Sequence, residues 1–250
     1  MGEWQGRTAV ITGGGRGFGK AFAEALCARG AHAVLVDLDG QAGEQAAAEL
    51  ALRQLSAQAL QGDVTDEARM AEVMELAAAR NGGIDLLINN AGLHSDEYGQ
   101  PTRILGLAKI RRLFDVNVMG TVTCTLAAIP HMQGRAGANV VNIASMAAHL
   151  CGSAYGVSKL AVSGLTITFA SELGGEGIRV NAISPGMIMT ETIKAELPPA
   201  TMDFVRRGQA LKTDGAETDI VAAMLYLSGN GARFVTGETL RVTGGMGAGI

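Results

Sequence analysis

Cysteine, aromatic residues and net charge are all scarce in this sequence. The three cysteines, Cys27, Cys124 and Cys151, lie far apart, with neither a CxxC pair nor a group of histidines beside them. This spacing argues against a disulfide framework and a zinc site, and it favours reduced thiols in the cytoplasm. The net charge of −4, from 20 basic and 24 acidic residues, provides no basic patch for nucleic acid or an anionic membrane.

No signal peptide and no membrane-spanning segment are expected either. Residues 1–7 are polar and lead directly into an apolar run, without the basic and apolar regions of a secretion signal. No apolar run reaches the roughly 20 residues that span a bilayer. At 250 residues, 48% of them hydrophobic, the chain can bury a sizeable core. We therefore expect one domain over residues 1–250.

Short apolar runs alternate with longer Ala- and Glu-rich stretches along the chain. The apolar runs predict buried strands at Thr8–Ile11, Ala33–Val36, Ile84–Ile88, Asn139–Ile143 and Arg179–Ile183. The intervening stretches predict amphipathic helices, the first three at 20–29, 41–54 and 67–80. This alternation predicts an α/β fold with a doubly wound parallel sheet.

A glycine-rich segment, Thr12–Gly19, follows the first predicted strand and opens the first helix. Glycines at such a turn let the backbone approach a pyrophosphate, which binds the amides of the helix N-terminus. Asp37 ends the second strand, where a carboxylate accepts hydrogen bonds from adenosine ribose hydroxyls and repels a 2′-phosphate. The pattern favours NAD over NADP, although Arg16 could pair with a phosphate. Alternatively, Asp37 is only a helix N-cap or turn residue.

The pattern Thr-Gly-x-x-x-Gly-x-Gly resembles that of the short-chain dehydrogenase/reductase family, which has a Rossmann fold. The resemblance continues through Asn89-Asn-Ala-Gly92, Tyr155-Gly-Val-Ser-Lys159 and Pro185–Thr190 to Phe234–Gly245. It implies that Asp63 and Val64 hold the adenine, and that Ile188 and Thr190 hold the nicotinamide carboxamide. The full cofactor set implied by the residues and the resemblance is Gly13, Arg16, Gly17, Phe18, Gly19, Asp37, Leu38, Asp63, Val64, Asn90, Ala91, Gly92, Tyr155, Lys159, Ile188 and Thr190.

Tyr155 and Lys159 lie four residues apart, on one face of a helix. A nearby ammonium favours the phenolate and makes tyrosine a better base. The resemblance implies that Tyr155 exchanges the proton of an alcohol and that Ser145 binds the substrate oxygen. It also implies that the backbone of Asn117 holds a water joined to Lys159; alternatively, Asn117 is a buried amide that satisfies neighbouring backbone. The implied catalytic set is Asn117, Ser145, Tyr155 and Lys159, with no metal.

Two segments depart from the family pattern. The loop between Ser145 and Tyr155 is a few residues shorter than usual, and 93–107 forms either a pocket wall or a subunit contact. A substrate lid is expected at about 187–208, with apolar residues that include Met187, Met189 and Met202. Methionines adapt to irregular apolar ligands, so a small hydrophobic molecule is the expected partner.

The expected reaction is therefore the NAD-dependent interconversion of a hydrophobic secondary alcohol and its ketone. The alternatives are an NADP-dependent 3-oxoacyl-thioester reductase and a non-catalytic nucleotide-sensing protein. The family commonly pairs the helices that carry Asn117 and Tyr155 between subunits, which implies a homotetramer, or else a dimer.

Overall fold

Seven parallel strands form a single sheet in the computed structural model, which describes residues 4–189 and 199–247. The sheet order is β3-β2-β1-β4-β5-β6-β7. The strands are β1 (Thr8–Thr12), β2 (His32–Asp37), β3 (Ala57–Gln61), β4 (Leu86–Asn89), β5 (Asn139–Ile143), β6 (Arg179–Pro185) and β7 (Thr239–Val242). Strand order reverses between β1 and β4, and the crevice at the carboxyl ends of these strands is where such sheets bind ligands.

Helices cover both faces of the sheet, which confirms the predicted doubly wound fold. They are α1 (Gly17–Cys27), α2 (Gly40–Leu52), α3 (Glu67–Ala79), α4 (Ser95–Tyr98), α5 (Thr102–Leu105), α6 (Leu107–Phe114), α7 (Gly120–Met132), α8 (Ala147–Leu150), α9 (Ala154–Leu173), α10 (Pro199–Gly208) and α11 (Glu217–Ser228). A π-helical turn, Asp115–Met119, joins α6 to α7, and short 3₁₀ turns follow α9 and α11.

The side chains of the strands divide between two apolar cores. Ile11 of β1 packs on one face with Phe22 of α1 and Met224 of α11. Its neighbour Val10 points to the opposite face, where Met74 of α3 is also fully buried. Because both faces are covered, consecutive residues of the central strands are apolar, which is the pattern seen in the sequence.

By length and composition alone, the continuous helical stretch Leu107–Met132 could cross a bilayer, contrary to the expectation that no segment of the sequence is long and apolar enough. In the folded chain, Cys124, Ala128 and Met132 of this stretch are fully buried in the core that it shares with α3. Packing in this core therefore explains the apolar residues along one face of α7.

Candidate active site

The turn between β1 and α1 requires glycine at several positions. Gly13 and Gly17 have φ values of +62° and +49°, in the left-handed region that glycine adopts readily. A Cβ on Gly19 would lie 2.1 Å from the carbonyl oxygen of Gly13. No side chain caps the N-terminus of α1, and Phe18 stacks against Phe22 farther along the helix. The first amides of α1 are thus left for an anionic ligand, as dinucleotide binding requires.

Asn90 ties the end of β4 to this turn. Its Nδ2 donates hydrogen bonds to the carbonyl oxygens of Thr12 and Gly13, both at 3.0 Å. In return, the hydroxyl oxygen of Thr12 accepts the N–H groups of Asn90 and Ala91, both at 3.1 Å. These bonds place Asn90 and Ala91 beside the glycine turn, at the point where strand order reverses.

Asp37 lies at the end of β2, directly under the turn. Its carboxylate accepts the N–H of Gly15 at 2.9 Å and that of Asp39 at 3.0 Å. The N-cap of α2 is Asp39 rather than Asp37, because Asp39 accepts the N–H of Ala42. Asp39 also pairs with Arg16 at 2.7 Å, on the exposed side of the site. Asp37 therefore organises the turn, and the guanidinium of Arg16 is engaged by a second carboxylate.

The predicted adenine residues flank the same crevice. Leu38 is exposed beside Asp37, and Asp63 follows β3. Burial alone would raise the pKa of Asp63, but hydrogen bonds from Thr65 and the charge of Arg112 lower it overall. The neighbouring Val64 is buried.

The predicted nicotinamide residues follow β6. Ile188 is buried and forms a parallel bridge with Gly215. Thr190 lies outside the described residues.

Lys159 is buried below the crevice and faces Gly92. Its Nζ donates to the carbonyl oxygen of Ile143 at 2.8 Å, which leaves two further N–H donors. Burial lowers the pKa of Lys159 to about 8. A Cβ on Gly92 would lie 3.3 Å from this Nζ and 3.1 Å from Oδ1 of Asn117. The absence of a side chain at Gly92 therefore lets Lys159 and Asn117 occupy one site.

Asn117 lies in the π-helical turn, and all polar atoms of its side chain are engaged. Oδ1 accepts the N–H of Leu93 at 2.7 Å, while Nδ2 donates to the Leu93 carbonyl oxygen and to Oγ of Ser158, both at 3.2 Å. Its backbone carbonyl oxygen accepts the hydroxyl of Thr121 at 2.9 Å. The side chain thus satisfies neighbouring backbone, as the alternative interpretation expects, and it also joins the segment after β4 to α9.

Ser145 and Tyr155 lie at the two ends of the shortened loop. Oγ of Ser145 accepts the N–H of Ala147 at 3.2 Å, so its hydroxyl proton can be donated to a substrate. Ser153 caps α9 by accepting the N–H of Gly156, as its position predicts, and the cap places Tyr155 in the first turn. Only 8% of Tyr155 is exposed.

The departing segment 93–107 contributes an apolar wall beside Tyr155. Tyr98 at the end of α4 and Leu105 at the end of α5 are buried in one cluster with Ala154 and Tyr155. The packing places this segment against the start of α9, and its role as a pocket wall or a subunit contact stays a prediction.

A methionine cluster forms the second apolar wall, and one of its members, Met246, was not predicted from the sequence. It consists of Met146, Met187, Met189, Met202 and Met246, packed with Val205. Met146 follows Ser145 directly, and Met246 comes from the C-terminal segment. A Cβ on Gly208 would lie 2.3 Å from Sδ of Met246, so this contact depends on a glycine in α10. No local pattern reveals a cluster assembled from four distant segments.

Comparison with known proteins identifies the family. Residues 13–247 match the family model described as enoyl-(acyl carrier protein) reductase. The chain is 35% identical over 250 residues to a "probable short-chain type dehydrogenase/reductase" of Bradyrhizobium diazoefficiens, covering 98% of this chain and 89% of the relative.

Solved structures agree with this match. A short-chain type dehydrogenase/reductase from Mycobacterium ulcerans has a TM-score of 0.92 at 30% identity, covering 98% of this chain and 91% of that one. A 7α-hydroxysteroid dehydrogenase complexed with NADH and 7-oxoglycochenodeoxycholic acid has a TM-score of 0.88 at 31% identity, with coverage of 98% and 95%. The protein belongs to the short-chain dehydrogenase/reductase family and is an NAD(P)-dependent oxidoreductase of alcohols or ketones.

Proposed function

We propose that this protein uses NAD to interconvert a hydrophobic secondary alcohol and its ketone. The observation that carries the proposal is the buried ammonium of Lys159, one helical turn from Tyr155 and held by the carbonyl of Ile143. Its pKa of about 8 keeps the group charged at neutral pH. Among the described residues no carboxylate pairs with this ammonium, and a buried unpaired cation is costly, so catalysis explains its presence in this site.

The glycine turn and its surroundings fit a nicotinamide dinucleotide. The uncapped amides of α1 would hold the pyrophosphate, with Gly13, Gly17 and Gly19 allowing its approach. Asp37 would accept the ribose hydroxyls of the adenosine half. The further residues that would line the cofactor are Arg16, Phe18, Leu38, Asp63, Val64, Asn90, Ala91, Gly92, Ile188 and Thr190. When bound, the nicotinamide supplies the acceptor or donor of the hydride.

The preference for NAD is supported by the charges around Asp37. A 2′-phosphate there would meet the carboxylates of Asp37 and Asp39, whereas Arg16 is paired to Asp39 at 2.7 Å and the nearby Lys20 is paired to Glu49. Two carboxylates and one guanidinium leave a net negative site, which repels a phosphate and accepts neutral hydroxyls.

Proton transfer falls to Tyr155, supported by its neighbours. Tyr155 would take the proton of the substrate alcohol during oxidation and return it during reduction. Ser145 would donate its free hydroxyl proton to the substrate oxygen. Lys159 would donate its two remaining N–H groups to a ribose hydroxyl and the phenol oxygen, and the backbone of Asn117 would hold a water that connects Lys159 to solvent.

The chemistry of the substrate is inferred from the two apolar walls. The methionine cluster lies beside Ser145, and the Tyr98 wall lies beside Tyr155. We therefore propose that residues 187–208, of which 190–198 lie outside the described residues, act as a lid over a bulky apolar molecule. The solved relative that binds 7-oxoglycochenodeoxycholic acid shows that a similar fold accepts such a ligand.

One specific observation favours an acyl-thioester substrate instead. The matching family model is described as an enoyl-(acyl carrier protein) reductase, and Arg206 and Arg207 lie on α10. However, Arg206 is committed to Asp214 by two hydrogen bonds, so one arginine of this pair is already neutralised. Such a reductase commonly uses NADP, which Asp37 disfavours.

A cofactor and substrate panel tests the proposal. The protein is incubated with NAD or NADP and with cyclohexanol, decan-2-ol or a 7α-hydroxysteroid, and reduced cofactor is followed at its absorbance maximum. In the reverse direction, cyclohexanone and acetoacetyl-CoA are offered with NADH or NADPH. Oxidation of a cyclic alcohol with NAD supports the proposal. Reduction of acetoacetyl-CoA with NADPH alone favours the thioester reductase, and nucleotide binding without turnover favours a sensing role.

We also propose that the protein is a cytoplasmic homotetramer. The outer faces of α7 and α9 carry exposed apolar residues, among them Leu126, Val157, Leu160 and Ile167. Exposed apolar faces of this kind are typical of subunit contacts.

A further inference from the structure

The shortened loop between Ser145 and Tyr155 is built around the four-residue helix α8. The N–H of Met146 donates to the carbonyl of Pro185 at 2.8 Å, which brings the loop to the end of β6. At the other end, Cys151 adopts φ +48°, so the chain reverses sharply before the cap of α9. A single helical turn is not stable by itself, and its position depends on contacts to the rest of the protein.

His149 provides a side-chain contact of this kind. Its Nε2 shares a hydrogen bond of 3.0 Å with Oγ of Ser184, a fully buried residue of β6. The C-terminal segment lies on the other side, where a Cβ on Gly247 would be 3.7 Å from Cβ of His149. His149 therefore joins α8 to the sheet at the edge of the methionine cluster.

The consequence concerns two residues that face the proposed substrate. Met146 immediately precedes α8 and contributes to the methionine cluster. Ser145 uses its acceptor oxygen on the first amide of α8, that of Ala147. A shift of α8 would therefore move one apolar wall and release the hydroxyl of Ser145 from its fixed orientation.

We propose that His149 is a positioning residue, whose hydrogen bond to Ser184 holds α8 so that Met146 and Ser145 face the substrate. The inference rests on the proposed function of this site. It assigns no proton transfer to His149, because its Nε2 is engaged by Ser184. Burial, together with the charge of Arg241, lowers the pKa of His149.

A double-mutant cycle with a matched control tests the inference. His149→Ala and Ser184→Ala are made singly and together, and cyclohexanone reduction by NADH is measured. We expect each single variant to raise KM for cyclohexanone about tenfold, because the Met146 wall moves, and to lower kcat about threefold, because the Ser145 hydroxyl is less well oriented. The double variant should match the single ones, because both remove the same bond. NADH affinity should stay at the wild-type value.

Two further variants separate positioning from general damage. Gln places a polar atom near the position of Nε2, so His149→Gln should recover most of the KM. His131 lies near the end of α7, where its carbonyl oxygen accepts the N–H of Ile84 just before β4, at the end of the strands opposite the site. His131→Ala should therefore leave KM unchanged. Additive effects in the cycle, or a wild-type KM in His149→Ala, would overturn the inference.

Amide hydrogen exchange distinguishes this inference from the proposed function. If the wild type reduces neither cyclohexanone nor any other ketone of the panel, the proposed function fails before a variant is made. In that case, faster exchange confined to residues 146–151 in His149→Ala still supports the anchoring of α8. Unchanged exchange there overturns it.

Discussion

Gly92 faces the ammonium of Lys159 so closely that a Cβ would lie 3.3 Å from Nζ and 3.1 Å from Oδ1 of Asn117. We therefore expect Gly92→Ala to displace Lys159 by a few tenths of an ångström and to lower kcat/KM about tenfold. Steady-state kinetics and a thermal melt check this expectation. A Cβ on Gly175 would have no atom within 4 Å, so Gly175→Ala is the matched control. A fully active and stable Gly92→Ala variant would show that the crowding has no catalytic consequence.

The ion pair between Arg16 and Asp39 provides a second test, on cofactor choice. Asp39→Asn keeps a good cap for α2 but releases the guanidinium, so kcat/KM with NADP should rise. The gain should stay below about tenfold because exposed ion pairs are weak. Adding Asp37→Ser should raise it further by removing the carboxylate that repels the phosphate.

Kinetics with both cofactors measure this change. Arg16→Ala in the Asp39→Asn background should cancel the gain in kcat/KM with NADP. That result would show that the released guanidinium causes the gain. If the wild-type protein has a higher kcat/KM with NADP than with NAD, the assignment of NAD is wrong.

The central strands were predictable from the sequence because their side chains fill the cores on both faces of the sheet, so that consecutive residues are apolar. β3 gave no comparable signal in the sequence: its residues Ala57–Gln61 are half-buried to exposed at the edge of the sheet, and polar and apolar residues mix there. The predicted start of β4 at Ile84 was two residues early, because Ile84 donates its N–H to the end of α7 rather than to a strand.

The candidate site divides in the same way between local and distant features. The turn at Gly13–Gly19, the cap at Ser153 and the spacing of Tyr155 and Lys159 are local, and the sequence displays them. The Arg16–Asp39 pair and the His149–Ser184 bond join residues 23 and 35 positions apart. Such contacts form only when the fold brings the carboxyl ends of the strands together. The periodicity of the sequence therefore does not predict them.

The proton-transfer role predicts the effect of removing one hydroxyl. Tyr155→Phe keeps the ring that packs with Tyr98 and Leu105, so the fold and NAD binding should survive. Alcohol oxidation should fall by about two decades or more, the usual loss for a general base. Tyr226 is half-exposed on α11, away from the site, and Tyr226→Phe serves as the control. Near-normal turnover by a folded Tyr155→Phe variant would refute the mechanism.

The proposed tetramer predicts the effect of charge on the outer face of α9. Leu160→Glu and Ile167→Glu each place a carboxylate on an apolar face, and burial of that charge between subunits is costly. We expect light scattering at micromolar concentration to show a tetramer for the wild type and smaller species for the variants. Leu52→Glu, on the exposed end of α2, should leave the assembly intact. A wild-type monomer would exclude the tetramer and the dimer alike.

Lys159 makes a prediction about stability that does not depend on turnover. Its pKa falls from 10.5 in the unfolded chain to about 8 in the folded protein, because burial disfavours the charge. Near neutral pH Lys159 is protonated in both the folded and the unfolded protein. The folded protein therefore bears the full cost of burying the charge, about 3 kcal/mol. At neutral pH the free energy of unfolding of Lys159→Met should therefore exceed that of the wild type. The gain is reduced by the loss of the hydrogen bond to Ile143.

The difference should shrink as pH rises. Between pH 8 and 10.5 the folded wild type has released the proton that the unfolded chain still binds, so its free energy of unfolding increases relative to that of Lys159→Met. Urea unfolding of both proteins across this range measures the difference, and the comparison cancels the titration of groups that they share. NAD-dependent turnover should be lost in Lys159→Met at every pH. If the difference in stability between the two proteins does not change with pH, Lys159 keeps an ordinary pKa. The role of its buried ammonium in the proposed mechanism would then need another explanation.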